Sequence, residues 1–171
     1  MSKQVQTEVE LQLFNQIVEE TWREKGYEVE YGSLESDCFI IYDADIPIGT
    51  IEFKPVTMTS EILNYFPFLL PQNTVELDKV SILKNYRSQE NLMKLMDLLI
   101  RYSQTNHVEK YIGLTEPSFF HFLKNHMKFP IVATSKPFMY KGDHVIPAIS
   151  SIHMIPKAGI QMLSASGSWE L

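Results

Sequence analysis

From Val5 to Lys25, Val9, Leu13, Phe14, Ile17, Val18, Thr21 and Trp22 recur at three- and four-residue steps. That period predicts an amphipathic helix with those side chains inward, stopped at Gly26. The pattern then shortens to strands. Cys38 to Tyr42 is a short apolar run, Asp43-Ala44-Asp45 turns it, and Ile46 to Phe53 returns as a second strand of a hairpin. Pro47 in that return belongs at an edge or a bulge. Between 54 and 74, Pro55, Pro67 and Pro71 punctuate an apolar patch, Ile62 to Leu70, which reads as a short helix or as a loop. Val75 to Leu83 is a strand. Gln89 to Ser103 is a helix capped by Ser88, with Leu92, Met93, Leu95, Met96, Leu99 and Ile100 inward. A strand at Val108 to Leu114 and a Phe-rich helix at Pro117 to His126 come next. Strands at Phe138 to Tyr140 and Val145 to His153 flank the turn Lys141-Gly142-Asp143. After Pro156, residues 157–171 are weakly patterned and read as a C-terminal tail, with a small polar run at 164–168 suited to mobility and Trp169 either docked or not.

The order α, β, β, β, α, β, α, β, β places a helix between the strands at 75–83 and 108–114. Such a connection is a right-handed crossover between parallel strands, while the others can be antiparallel. The expected class is therefore α/β, a mixed sheet flanked by helices, in a single domain over residues 1–156. A core of ordinary size suits 171 residues with 44% hydrophobic and 12% aromatic content. No apolar run nears the roughly 18 residues that span a bilayer. The start of the chain is polar and acidic, unlike a signal or transit peptide. With one cysteine no intrachain disulfide forms, and a cytoplasmic location is expected.

Charge is divided unevenly. Residues 1–78 hold 15 acidic and 4 basic side chains, and residues 79–171 hold 6 acidic and 11 basic ones. An acidic chain is a poor nucleic-acid binder. The basic half is either a face for an anionic cofactor or acidic carrier protein, or a set of solvated lysines.

The two halves meet at the stretch with most chemistry, Val75 to Met96. A strand carrying Glu76 ends in a basic turn, Lys84 to Arg87, and a helix starts at once. The backbone amides of Gln89, Glu90, Asn91 and Leu92 point out of that helix start, where anions bind, and Lys84 and Arg87 add charge-assisted contacts. Glu76, in an apolar strand, either gains a raised pKa suited to a general base, or faces solvent or pairs with Lys79. The five histidines have no metal-ligand spacing, and Cys38 beside Phe39 reads as a buried inert thiol. No Gly-x-Ser-x-Gly elbow and no Walker or dinucleotide glycine pattern is present.

The sequence Ile82-Leu83-Lys84-Asn85-Tyr86-Arg87 before the helix, the hairpin Phe39-Ile40-Ile41-Tyr42 with Ile48-Gly49-Thr50-Ile51, and the Phe-rich helix together resemble the GNAT superfamily of acyl-coenzyme A–dependent N-acyltransferases. The family turn is Arg-x-x-Gly-x-Gly or Ala. Here it is Arg87-Ser88-Gln89-Glu90-Asn91-Leu92, with both small positions replaced. Val75-Glu76-Leu77-Asp78-Lys79-Val80 and the late Pro137-Phe138-Met139-Tyr140-Lys141-Gly142 resemble the acyl-homoserine lactone synthases and the long-chain N-acyl amino acid synthases. In that branch the Glu is usually followed by Ser-Arg, where this chain has Asp78-Lys79.

The resemblance implies a centrally splayed GNAT-like sheet. It also implies an acyl donor, either acetyl- or longer acyl-coenzyme A or an acyl carrier protein, with no metal. The acceptor is an amine, and neither nucleic acid nor membrane is a partner. Backbone N–H groups near Val80 and Ile82 would hold the pantetheine arm, and Lys84, Arg87, Ser88, Gln89, Asn91 and Leu92 the phosphates. Glu76 would deprotonate the amine, and Tyr111, Ser118 or Tyr140 would protonate the leaving thiolate. Glu90 and Leu92 in the cradle equally suit a non-catalytic domain of this fold that binds a ligand or partner. The sequence leaves the acceptor, the donor chain length and a homodimeric assembly open.

Overall fold

Thr7 starts the first helix. Its hydroxyl accepts from the Glu10 amide while the Glu10 carboxylate accepts from the Thr7 amide, a reciprocal cap that satisfies two free donors. In the computed structural model, which describes residues 1–151, this helix, α1, runs Glu8–Lys25 and ends at Gly26 in the left-handed conformation, φ +80°. It buries Phe14, Ile17, Val18 and Thr21. Two details depart from the periodicity. Residues before Thr7 are not helical, because Ser2–Gln4 forms an edge strand, β1, against β2. Val9 is 75% exposed; the positions one turn before Phe14 are Glu10 and Leu11, so Val9 falls off the inward stripe.

The expected hairpin is present as β2 (Asp37–Asp43) and β3 (Ile46–Pro55), with a register shift next to Tyr42 and Pro47. β4 (Thr74–Ile82) pairs antiparallel with β3. α2 (Gln89–Asn106), capped by Ser88, carries the chain across to β5 (Lys110–Thr115), which runs parallel to β4. The Phe-rich segment is α3 (Pro117–His121), begun by Pro117, and its winding loosens into a π turn over Phe122–His126. Three strands close the described chain: β6 (Ile131–Ala133), β7 (Phe138–Tyr140) and β8 (Asp143–Ser151). β6 was not foreseen. The expected end of the last strand at His153, the 157–171 tail and Trp169 lie outside the described residues. The sheet order is β1-β2-β3-β4-β5-β8-β6, with β7 paired to β8. This is the mixed α/β class expected, since the one parallel pair is the crossover pair. No helix among the described residues is long and apolar enough to cross a membrane.

Both faces of the sheet are covered. On one, α2 and α3 lay Leu92, Leu95, Leu99, Phe120 and Leu123 on Phe53, Val75 and Tyr111. On the other, α1 sits over Cys38 and Ile40. Beside it, the 54–74 connection folds a short 3-10 helix, Glu61–Tyr65, which buries Ile62 and Phe66 against Val56 and Ile112. Phe68 and Leu70 from the same segment are exposed.

Two features of β4 set the geometry at the middle of the sheet. β4 and β5 pair only from Thr74↔Lys110 to Glu76↔Ile112. Beyond that point β4 stays with β3 as far as Ile82↔Gly49, and β5 stays with β8 as far as Thr115↔Ile146. The sheet therefore parts between its two parallel strands. β4 also carries an extra residue, because Glu52 opposes Asp78 while Thr50 opposes Ser81. That bulge puts Lys79 in the left-handed region at φ +49°.

Candidate active site

The parting of β4 and β5 opens a cavity of about 270 Å3, walled on one side by Glu76 to Ile82 and on the other by Gly113 to Glu116. The amide of Leu83 donates to Ile48 on the β3 side (2.8 Å), and Thr50 Oγ1 donates to the carbonyl of Lys79 (2.7 Å). Backbone direction alternates along a strand, so the amides of Val80 and Ile82 face the gap, where β4 has no partner strand. These are the two amides named from sequence. Gly113 stands across from Leu77, one step past the last β4–β5 pair; a Cβ there would stand 2.9 Å from the carbonyl oxygen of Leu77. Gly113→Ala is expected to push β5 off β4 at the apex and lower stability by about 1–3 kcal/mol, the usual cost of overpacking, read as a lower urea midpoint at unchanged slope.

The register sets four charged residues side by side: Glu52 opposes Asp78, and Lys54 opposes Glu76. The bulge brings a fifth, Lys79, onto the same face. Lys79 Nζ lies 2.5 Å from Glu52 and 2.9 Å from Asp78. Lys54 Nζ reaches Asp78 at 2.5 Å and Glu52 at 3.5 Å, and Ser36 donates to Glu52. The Lys79 and Glu52 side chains are only 2% and 3% exposed. Burial works against an ionised Asp78, but Lys79 and Lys54 outweigh it and hold the carboxyl down at about 2. Lys79 thus pairs with Glu52 and Asp78, not with Glu76.

Glu76 stands at the edge of this network and outside it. It is half-buried, lines the cavity, and has no hydrogen bond or ion pair to a described residue. Burial pushes its carboxyl up to about 7; Lys54 opposes the shift, and the neighbouring Asp78 and Glu52 charges add to it. A carboxyl with that poise accepts a proton near neutral pH.

The rim comes from two distant parts of the chain. The last turn of α1 contributes Trp22 and Lys25, and Tyr27 follows just past its Gly26 cap. The turn after β7 docks on it through the Glu28 amide, which donates to Lys141 O at 3.0 Å, and a Cβ on Gly142 would lie 2.7 Å from Gly26 O. Tyr140 therefore lines the cavity, in edge contact with Tyr65 at 5.8 Å. Burial, with Glu116 and Asp143 nearby, raises Tyr27 to about 12, so its hydroxyl stays protonated. Lys25 pairs with Glu116 at 3.3 Å, and Lys141 pairs with Glu30.

The other groups named from sequence scatter around this centre. Tyr111 is buried and donates to Leu99 O at 2.7 Å, which ties its proton to α2. Ser118 is exposed, donates to Glu116 at 2.6 Å, and is not part of the cavity wall. At the helix start, Ser88 Oγ takes the Asn91 amide (3.2 Å), while the Asn91 side chain holds Tyr86 O and Lys94. Leu92 points into the core, and Glu90 turns out to solvent with 82% exposure. Glu90 lies 3.5 Å from Lys94 Nζ, one turn further along α2. Lys84 is exposed in a 3-10 turn. Arg87 lines the cavity but forks onto Glu24 of α1 at 2.9 and 2.7 Å, and its Nε holds Ile82 O at 3.1 Å.

Behind the gap the cavity continues between the sheet and α2–α3 as an apolar branch walled by Leu99, Leu123, Phe129, Ile131 and Ala148. Ser150 closes it; its hydroxyl is buried and has no partner among the described residues. Glu52, Lys79, Trp22, Tyr27 and Ser150 were not named as site residues from sequence. Of these, Glu52 carried a usable signal: like Glu76, it interrupts an apolar strand. Among the described residues no three His, Cys, Asp or Glu side chains gather as a metal-binding group.

A mixed sheet that parts between its parallel strands, just before a helix start, is the GNAT-like fold. No family model matches the chain, and no curated protein sequence matches it. Solved structures do, at low identity. FeeM, an N-acyl amino acid synthase from uncultured soil microbes, superposes with TM-score 0.74 at 12% identity over 90% of this chain and 91% of that one. The acyl-homoserine lactone synthase LasI gives TM-score 0.73 at 14% identity over 94% and 93%. BjaI, a coenzyme A–dependent acyl-homoserine lactone synthase solved with SAM and isopentyl-CoA, gives 0.64 at 16% identity over 90% and 77%. The likeness is one of fold, and it falls on the branch that the sequence resembles.

Proposed function

We propose that the chain is an N-acyltransferase that moves an acyl group from a thioester, carried by coenzyme A or acyl carrier protein, to an amine bound beside it. The observation that carries this reading is Glu76: an unpartnered carboxyl with a pKa near 7, at the point where β4 and β5 part. The solved neighbours with this fold include a coenzyme A–dependent synthase solved with isopentyl-CoA and an acyl-CoA N-acyltransferase from Pseudomonas aeruginosa, which supports the same class here. The pantetheine arm lies in the gap along the Val80 and Ile82 amides, and its acyl chain enters the apolar branch toward Ser150. The amine arrives as an ammonium from the Trp22–Tyr27–Tyr140 rim. Glu76 takes one proton from it, directly or through water. The freed nitrogen attacks the thioester carbonyl carbon, and the oxyanion faces the gap-side amides. As the new C–N bond forms, the C–S bond breaks. The thiolate leaves with the nitrogen's second proton, relayed by Tyr140, and Glu76 returns its proton to water.

A thermal-shift panel of coenzyme A, acetyl-, octanoyl- and palmitoyl-coenzyme A and acyl carrier protein tests the donor. A rise in melting temperature with at least one is expected, and none with any of them overturns the donor site. A second reading, a ligand-binding domain without turnover, is favoured by one observation: Arg87 is spent on Glu24 rather than open to phosphate. It predicts a shift with coenzyme A and no thiol release with any amine.

A further inference from the structure

Among the described residues, the charges around the cavity are paired with a single exception. Four cations line it, Lys25, Lys79, Arg87 and Lys141, and each sits on a carboxylate: Glu116, Glu52 with Asp78, Glu24, and Glu30. Lys54, behind Glu76, is held by Asp78 at 2.5 Å. None of the described cations in or directly behind the wall is left over for an anionic group on a substrate, while one carboxylate, Glu76, is left over for a cationic one. The remaining rim is aromatic. Trp22 and Tyr140 already carry ammonium groups near their rings, Lys79 at 6.0 Å and Lys141 at 4.8 Å, and Tyr27 stands 5.9 Å from Trp22. Rings that tolerate a cation suit an amine-bearing guest.

We propose that the acceptor is a cationic amine without a carboxylate, such as an arylalkyl amine or a diamine, and that α-amino acids are rejected. This rests on the acyltransferase function. An α-amino acid carries its carboxylate two bonds from the reacting nitrogen. Bringing that nitrogen to Glu76 brings the carboxylate beside Glu76, the one described carboxylate of the wall with no cation on it, while every described cation of the wall is already held by another carboxylate. Burying it there costs its hydration without a compensating partner. The amine stripped of that group keeps the ring contacts and the Glu76 contact and loses the penalty.

Matched pairs that differ only by the carboxylate isolate the effect: tyramine against tyrosine, and cadaverine against lysine. With an acyl-coenzyme A that raises the melting temperature as donor, and thiol release as readout, kcat/KM is expected to favour tyramine and cadaverine by at least about tenfold. Equal or better use of the amino acids overturns the inference and leaves the acyltransferase reading standing. Thiol release with no amine at all overturns that reading instead. The inference is then decided by binding to the coenzyme A–loaded protein: a larger melting shift with tyramine than with tyrosine supports it, and an equal or reversed order overturns it. A second variant tests the cause. Glu30→Gln frees Lys141 at the rim, and the discrimination against tyrosine is expected to narrow at least threefold. An unchanged ratio overturns the part given to the paired cations.

Discussion

Glu76→Gln is expected to lower kcat by about 10²–10⁴-fold while leaving the melting shift with the acyl donor intact. The amide keeps the size and polarity of the side chain but cannot take a proton from the acceptor. In the unsubstituted protein kcat/KM falls as pH drops below about 7, with the loss of one proton-accepting group; the variant is expected to lose that inflection. Stability moves the other way. The folded-state carboxyl lies at about 7, above its ordinary 4.5, so protonation favours the folded state. The stabilising contribution is full below 4.5 and is lost as pH rises through about 7. Above pH 7 the Gln variant is therefore expected to melt at a higher temperature than the parent, and at pH 4 the two should coincide. A variant that turns over at the parental rate removes Glu76 as the base.

Lys79→Met carries the second large effect. Its ammonium lies between Glu52 and Asp78 with its side chain 2% exposed, and Lys54 alone cannot neutralise both carboxylates. Removing one member of a buried ionic group leaves an uncompensated charge and costs about 3–5 kcal/mol, which urea unfolding would read as a fall in midpoint. Glu52→Gln in the same chain removes the charge that Lys79 leaves behind, so the double variant should recover part of the loss. A cost below about 1 kcal/mol for Lys79→Met would mean that water screens the network. Because the bulge and the network share this residue, the variant should also disturb the Val80 amide that faces the gap.

Much of this arrangement was legible from periodicity. Helices α1, α2 and α3, the β2–β3 hairpin and the parallel crossover appear where the apolar spacing put them, because each buries one face against the sheet. β1 was missed because Ser2-Lys3-Gln4 has no apolar alternation; it is an edge strand held by backbone pairing to Phe39, Ile40 and Ile41. β6 escaped because three residues give too short a period to read. Within the site, Glu76 was legible as a carboxylate in an apolar strand. The role of Lys79 was not, because it depends on a left-handed bulge and on Glu52, 27 positions away. Arg87 illustrates the same limit: its spacing before the helix suggested phosphate, and a glutamate 63 positions earlier decides where its guanidinium goes.

Cys38, the chain's only cysteine, lies under α1 with 1% exposure, and burial, with Glu52 nearby, raises its thiol to about 11. The folded protein should thus be silent toward disulfide dyes, so coenzyme A released during turnover can be followed continuously by such a dye without background from the enzyme. The same silence makes Cys38 an internal clock. A slow appearance of dye colour in the absence of substrate would time the lifting of α1 from β2, one opening event per molecule, with no label introduced.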